Sequence, residues 1–519
     1  MREKERPETR PNIVLIMADD MGYSDIGSYG GEVDTPNLDR LAAEGIRFSQ
    51  FYNAARCTPT RASLLTGLYP HQAGLGHMPD GYATLVRKTF NSQSYTDHLA
   101  YDTPTIAEML RNGGYRTFMV GKWHLGYDRP QWPVDRGFDR SFALIAGAMN
   151  YYGYGLQLSG KVQDPPMAVD DHVYSPPRDG FFSTDAFSNH AAAFIREHEG
   201  AEPFFLYLAY NAPHWPLHAP AEDVAKYRGR YMKGWDQIRR ERYRRLVDLG
   251  LISRKWDLAP RPDRVPPWAS VTEQEEEQWD LEMSIYAAMI ERMDAGIGRV
   301  LGALRKRGLE EHTLVIFLSD NGGAAEDPNR SREGALLGGP DSYEGYDIRG
   351  AHLSSSPFRL TKKYVHEGGI ATPLIVRWPA RIQHGGEIRH EPSHIIDLVP
   401  TLLDVAEVTP QDSVQSRATT PLEGASLTPV FASKPLPART IYWEHEGNRA
   451  VRQGRWKLVS KHPGDWELYD MQKDRTELYD LSHERPEKAQ ELVGLYDRWA
   501  ARVGAQPWER IDRAREQRR

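Results

Sequence analysis

The sequence predicts an α/β fold, a large sheet covered by helices on both faces, followed by a smaller antiparallel sheet with a packing helix. Three observations carry this expectation. Short unbroken apolar runs recur at Ile13–Met17, Thr117–Val120, Phe204–Tyr210, Leu314–Leu318 and Leu374–Val376, the pattern of strands buried on both faces. Helical segments alternate with those runs, as in a sheet covered on both sides. Beyond Thr420 the pattern shifts to short extended segments with a hairpin signal. Residues 1–420 therefore read as one large domain, with 219–274 inserted in it, and residues 421–519 as a small second domain.

The elements follow in order. The first strand runs from Ile13 to Ala18 and ends in Asp19-Asp20. Thr35-Pro36 opens a helix with Leu38, Leu41 and Ala42 on one face and Gly45 at its end. Thr58 reads as an N-cap and Pro59 as a first helical residue, with Ala62, Leu64 and Leu65 following and Gly67 as the stop. Thr103-Pro104 opens another helix, closed by Gly113-Gly114. The insertion carries Arg239, Arg240, Arg242, Arg244 and Arg245, which read as a solvated helix face. A long amphipathic helix bears Met283, Tyr286, Ile290, Met293, Ile297, Val300 and Leu304. Ala324 to Pro357 is rich in Gly, Ser and Asp and reads as a long loop near the site. Ala450–Gln453 and Arg455–Val459 flank Gly454 as a hairpin, with Trp466–Tyr469 and Leu478–Leu481 as further extended pieces. A polar helix from about Glu484 to Val503 and a charged tail from Ala505 to Arg519 complete the chain.

Composition narrows the function. Of 519 residues, 40% are hydrophobic and 26% charged, the profile of a soluble globular protein. A net charge of −7 gives no reason to expect nucleic acid, and no apolar stretch is long enough to span a bilayer. The polar, charged segment before Pro11 holds no signal-peptide core, so the cytoplasm is the expected location. Cys57 is the only cysteine, which rules out an intrachain disulfide.

Chemistry gathers where the predicted strands end: Asp19-Asp20, then Gly121-Lys122-Trp123-His124, then Ala212-Pro213-His214-Trp215-Pro216, then Ser319-Asp320-Asn321-Gly322-Gly323. Ligands of open α/β sheets bind outside the carboxyl ends of the strands. Asp19, Asp20, Asp320 and Asn321 offer only oxygen ligands, which suits Ca²⁺ or Mg²⁺ rather than zinc. Arg61, Lys122 and Lys362 bring positive charge; Lys362 is chosen over Lys363 from its spacing to Glu367-Gly368-Gly369. Cys57 just ahead of a helix N-terminus adds an anion-favouring position. Such a set stabilises a transferring sulfuryl or phosphoryl group.

Cys57-Thr58-Pro59-Thr60-Arg61, running on to Gly67, resembles the signature of the type I sulfatases, Cys-x-Pro-x-Arg, whose cysteine becomes formylglycine. Pro11–Ile16 before Asp19-Asp20, Gly121–Gly126, Ala212–Pro216, Ser319–Gly323 and Glu367–Pro373 are also similar to motifs of that family, in its order. Lys226-Tyr227-Arg228-Gly229-Arg230-Tyr231 in the insertion resembles bacterial arylsulfatases of the Pseudomonas type. The resemblance implies an alkaline-phosphatase-like large domain, a small C-terminal sheet domain, and maturation by a formylglycine-generating enzyme. It implies hydrolysis of small sulfate monoesters, aryl sulfates foremost. The hydrated aldehyde from Cys57 would join Asp19, Asp20, Asp320 and Asn321 on the cation. Activated by Asp320, one of its hydroxyls would attack sulfur. His214 with Lys362 would protonate the leaving oxygen, and His124 would deprotonate the second hydroxyl to expel sulfate. Arg61 and Lys122 would hold the diol and sulfate oxygens. A phosphonate monoester or phosphodiester hydrolase on the same fold is the nearest alternative, since those esters also carry one charge. A non-catalytic anion-binding protein is the more distant one.

Overall fold

Five parallel strands form the centre of the molecule. The computed structural model describes residues 10–79, 83–157, 167–410, 413–414 and 417–517; the charged stretch at residues 1–9 lies outside them. Among the described residues the large sheet has ten strands: β1 (Asn12–Ala18), β2 (Ile46–Phe48), β3 (Arg116–Lys122), β4 (Arg140–Leu144), β5 (Met167–Val169), β6 (His172–Tyr174), β7 (Phe204–Ala209), β8 (Thr313–Ser319), β9 (Leu374–Arg377) and β10 (Glu387–Arg389). Their order is β10-β2-β9-β8-β1-β7-β3-β4-β5-β6. The run β8-β1-β7-β3-β4 is parallel throughout, and antiparallel pairings begin at β9 on one side and β5 on the other.

Both faces of the sheet are covered. Val14, Ile16 and Ala18 of β1 point into one core, and Ile13, Leu15 and Met17 into the other, the alternation a pleated strand imposes. The helices used below are α1 (Pro36–Glu44), α2 (Cys57–Thr66), α3 (Ile106–Asn112), α4 (Ser183–Glu197), α5 (Trp235–Asp248), α6 (Glu273–Lys306) and α7 (Asp347–Ser354). Phe187 and Ala191 of α4 and Met283, Tyr286 and Ile290 of α6 fill the first core. Leu64 and Leu65 of α2 and Ile106 and Leu110 of α3 fill the second. Each fully buried aliphatic side chain contributes about 1.5–3 kcal/mol. No helix among the described residues is long and apolar enough to cross a membrane.

Several local expectations change. The cap of α3 is Thr105, not Thr103: its hydroxyl accepts from Glu108 N at 3.1 Å, and the Glu108 carboxylate accepts the Thr105 N–H at 2.7 Å. The arginine run of α5 is only partly solvated: Arg240 and Arg244 are exposed, as expected, but two others are not. Arg239 and Arg242 are buried, and Arg242 lies on the same stripe as Trp235, Ile238 and Leu246. The long loop after β8 carries α7 within it.

The C-terminal sheet runs β11 (Thr440–His445), β12 (Asn448–Gln453), β13 (Trp456–Ser460), β14 (Glu467–Asp470), all antiparallel, with the hairpin turning at Gly454. Leu478–Leu481 forms no strand, and β11 takes the fourth place. Helix α8 (Pro486–Val503) packs on this sheet. The charged tail holds a further helix, α9 (Glu509–Glu516), because Trp508 and Ile511 give it an apolar side that packs on Leu85, Val86, Phe90 and Tyr95.

Helix α1 is capped from outside. Asn37 N and Leu38 N donate to the Asp294 carboxylate of α6 at 3.1 and 2.8 Å. Asp294→Ala leaves both amides without this partner, the buried one of Leu38 included, and should lower stability by about 1–2 kcal/mol, read as a shifted urea midpoint. A shift below roughly 0.5 kcal/mol would mean that α1 does not depend on this cap.

Candidate active site

The sheet register brings the four motif-bearing strand ends to one level. Ala18 lies opposite Ser319, Met17 opposite Ala209, and Ala209 opposite Gly121. The residues that follow are therefore neighbours. Asp19, Asp20, Lys122, Asp320 and Asn321 are fully buried, and His124, His214 and Lys362 nearly so.

Opposite charges interlock there. Lys122 Nζ donates to Asp19 Oδ2 at 2.6 Å, Lys362 Nζ to Asp20 Oδ2 at 2.9 Å, and Arg61 Nη2 to Asp320 Oδ2 at 3.0 Å. Asn321 Nδ2 donates to Asp20 Oδ1 at 2.6 Å, and Asp20 N to Asp320 Oδ1 at 3.1 Å. Burial, then the adjacent Asp320 carboxylate, pushes the Asp19 carboxyl well above the usual range. Against the same burial, Lys362 and His214 hold Asp20 below it. Asp20 and His124 both sit in the left-handed region, at φ 65° and 58°, a conformation uncommon outside glycine that Asp and His adopt more readily than most residues.

Helix α2 starts at Cys57 itself, two residues earlier than its sequence suggests, with Arg56 in the cap position. Thr58 is not the cap: its hydroxyl donates to His124 O at 3.1 Å and ties α2 to the end of β3. Gly67 ends the helix at φ 71°, its N–H bonded to Ser63 O. Arg61, one turn in, also donates from Nη1 to Lys122 O at 2.9 Å. Against burial, which would lower them, Tyr207, Asp320 and Asp19 raise the pKa of Arg61 and Asp20 and Glu326 that of Lys362, with Cys57 a smaller contributor to each; Cys57 Sγ lies 3.9 Å from Met78 Sδ. The ring of His124 lies against Gly147, where a Cβ would come within 2.4 Å of it.

His214 is oriented by its neighbour. Its Nδ1 donates to Trp215 O at 2.6 Å, so the neutral ring turns the Nε2 lone pair toward Lys362 Nζ, 3.5 Å away. Burial, reinforced by Lys362 and Lys122 against Asp20, lowers its pKa to about 3. Lys362 N donates to Gly323 O at 3.0 Å, and Gly322 N to Gly369 O at 3.1 Å. A Cβ on Gly322 would lie 1.9 Å from Gly368 O, which is why glycines recur where these two segments meet.

The donor set fits a hard divalent cation. Asp19 Oδ1 and Asn321 Oδ1 are buried and accept no hydrogen bond among the described residues. Asp19, Asp20 and His214 place ligand atoms within 4.8 Å of one another. The unpartnered oxygens of Asp19 and Asn321, beside the carboxylates of Asp20 and Asp320, make an all-oxygen set of the kind a hard divalent cation takes.

Other residues brace the site that sequence patterns did not single out. Arg242 donates to Asp25 Oδ1 at 2.7 Å and to Glu32 through Nε and Nη2 at 2.9 and 2.7 Å. Tyr286 Oη donates to Asp25 Oδ2 at 2.8 Å. The insertion thus locks the loop that follows Asp20. The spacing of Trp235, Ile238, Arg242 and Leu246 was the available signal. Glu326, in the long loop after β8, reaches Lys362, Arg56 and Trp215.

The chain is similar to known proteins over most of its length. The family model described as Sulfatase matches residues 11–408, and one described as N-sulphoglucosamine sulphohydrolase, C-terminal, matches residues 359–496. The chain is 36% identical over 479 residues to an uncharacterized sulfatase of Schizosaccharomyces pombe, covering 88% of this chain and 86% of that one. It is 33% identical over 441 residues to an arylsulfatase of Klebsiella aerogenes, covering 82% and 93%. Among solved structures it is similar to Ps i-CgsB, also solved in complex with k-i-k-neocarrahexaose, at TM-score 0.69 and 25% identity over 95% of this chain and 93% of that one. The large mixed sheet with a small antiparallel C-terminal sheet is the alkaline-phosphatase-like α/β fold. By its matched length and its relatives, the chain belongs to the sulfatase family, whose members hydrolyse sulfuric esters.

Proposed function

We propose that this protein hydrolyses monoesters of sulfuric acid with small phenols, using Cys57 matured to formylglycine by a formylglycine-generating enzyme. The observation that carries the reading is that α2, with Cys57 as its first residue and Arg61 one turn on, is bonded through Arg61 to Asp320 in the buried oxygen cluster of Asp19, Asp20, Asp320 and Asn321, which Lys362 joins through Asp20. When present, formylglycine supplies the attacking oxygen, and a cation held by those four residues supplies positive charge beside it.

The chain's own groups do the rest. Arg61 and Lys122, held in place by Asp320 and Asp19, would be freed to bind the ester's anionic oxygens when those carboxylates hold a cation. Asp320 accepts the proton of the attacking hydroxyl. Lys362 and His214 share one proton across 3.5 Å and deliver it to the leaving oxygen; at rest Lys362 holds it, because His214 is neutral. His124, tied through its backbone to Thr58, removes the proton whose loss releases sulfate.

An aryl leaving group is supported by the likeness to the Klebsiella arylsulfatase, which the alignment spans almost whole. Carbohydrate sulfates are the second reading, favoured by the likeness to Ps i-CgsB. The deciding assay compares kcat/KM for nitrophenyl sulfate with that for a nitrophenyl phenylphosphonate and a sulfated oligosaccharide. The sulfate aryl ester should lead both by at least about tenfold. A lead by the phosphonate would replace the sulfatase reading with phosphonate hydrolysis.

The cation has a test independent of turnover. Ca²⁺ or Mg²⁺ added to chelator-stripped protein should raise the melting temperature, with about 2.7 kcal/mol gained at a hundredfold excess over Kd. Asn321→Ala should shrink that gain. A melting temperature unmoved by either ion would contradict the assignment of the oxygen cluster.

A further inference from the structure

Two carboxylates from distant parts of the chain close over the cations that adjoin Cys57. Glu326 follows β8, and Glu446 sits in the turn between β11 and β12. Glu326 Oε1 lies 2.8 Å from Arg56 Nη2, while its Oε2 lies 3.3 Å from Lys362 Nζ and accepts from Trp215 Nε1 at 3.3 Å. Glu446 Oε2 lies 2.7 Å from Lys363 Nζ, and its Oε1 lies 3.7 Å from Arg56 Nη1 and 3.3 Å from His77 Nε2. Against the burial that would raise them, these contacts hold both carboxyls below their ordinary range, so both are ionised near neutral pH.

Position gives these pairs their meaning. Arg56 directly precedes Cys57, and Lys362 with His214 stands where the leaving oxygen must be met. Glu326 touches Lys362 and the indole beside His214, so it borders the path of the leaving group. Its side chain remains 36% exposed. A site built to grip a second sulfate or carboxylate of a polyanion would keep such cations for that purpose. Here Arg56, Lys362 and Lys363 each have a carboxylate partner. Trp215 packs edge-on to Tyr343 at 6.0 Å, and Met78 lies over Cys57, which adds uncharged surface.

We propose that Glu326 and Glu446 make the mouth of this site select against esters whose leaving group carries a second negative charge, so that it takes uncharged phenols and alcohols in preference to polyanions. This deepens, and rests on, the sulfate-ester reading. The physical basis is twofold: the neighbouring cations are already neutralised, and a second anion would face an ionised carboxylate in a partly desolvated mouth.

The test uses two nitrophenyl sulfates that differ only in a ring carboxylate or carboxamide at one position. For the mature protein, kcat/KM for the carboxamide should exceed that for the carboxylate by about tenfold. The ratio should fall with added salt, as repulsion at a part-exposed charge is screened. In Glu326→Gln it should drop to about threefold or less, and in Glu446→Gln it should drop part of the way. Because the ratio is taken within each variant, a loss common to both substrates cancels. A wild-type ratio near one, or a ratio unchanged in both variants, would overturn the proposal. Failure of protein with a demonstrated Cys57 aldehyde to cleave either ester would overturn the sulfatase reading beneath it.

Discussion

The structure depends on burying three carboxylates together without leaving any charge unmatched. Asp19, Asp20 and Asp320 are wholly enclosed, and each pairs with one cation, Lys122, Lys362 and Arg61 respectively. Enclosed charges persist only when paired, and removing one partner typically costs about 3–5 kcal/mol. This requirement fixes more than the site. It sets where β1, β3 and β8 end, how deep α2 lies, and where the segment bearing Lys362 must run.

That last segment is held by the C-terminal sheet. Lys457 of β13 lies 2.9 Å from Glu367 Oε1, Arg475 Nε donates to Glu367 Oε2 at 2.7 Å, and Glu367 N donates to Glu477 Oε2 at 2.8 Å. All four side chains are buried. The small sheet thus clamps the turn that carries Gly368 and Gly369, which abuts Gly322, which in turn follows Asp320 and Asn321. Through Glu446 the same sheet also reaches Arg56, the residue before Cys57.

Much of this was legible in the sequence, for physical reasons. Strands buried on both faces must be apolar throughout, so their ends stand out, and an α/β sheet places ligands at those ends. Asp19-Asp20, Lys122, His214 and Asp320-Asn321 were picked out that way, and the structure brings them together. Lys362 was placed by its spacing to Glu367-Gly368-Gly369, which the packing of Gly322 on Gly368 explains. What stayed hidden depends on long-range partners. Arg242 looks solvated in a run of arginines, and only its place on the stripe of Trp235, Ile238 and Leu246 marks it as inward. Thr58 is by residue type a better cap than Arg56, yet its hydroxyl donates to His124 O beyond the end of β3. Thr105, rather than Thr103, caps α3 because Glu108 completes a reciprocal pair with it. Glu326 and Glu446 meet Arg56 across 270 and 390 positions of sequence, where no local pattern points to them.

The most direct test of the account is the chemical state of Cys57. The peptide containing it should be examined by mass spectrometry with and without a carbonyl-trapping reagent, since the hydrated aldehyde and the thiol are nearly equal in mass. The account predicts a trapped carbonyl at residue 57 in protein made alongside a formylglycine-generating enzyme. An unmodified, freely alkylated thiol in that same preparation would contradict it.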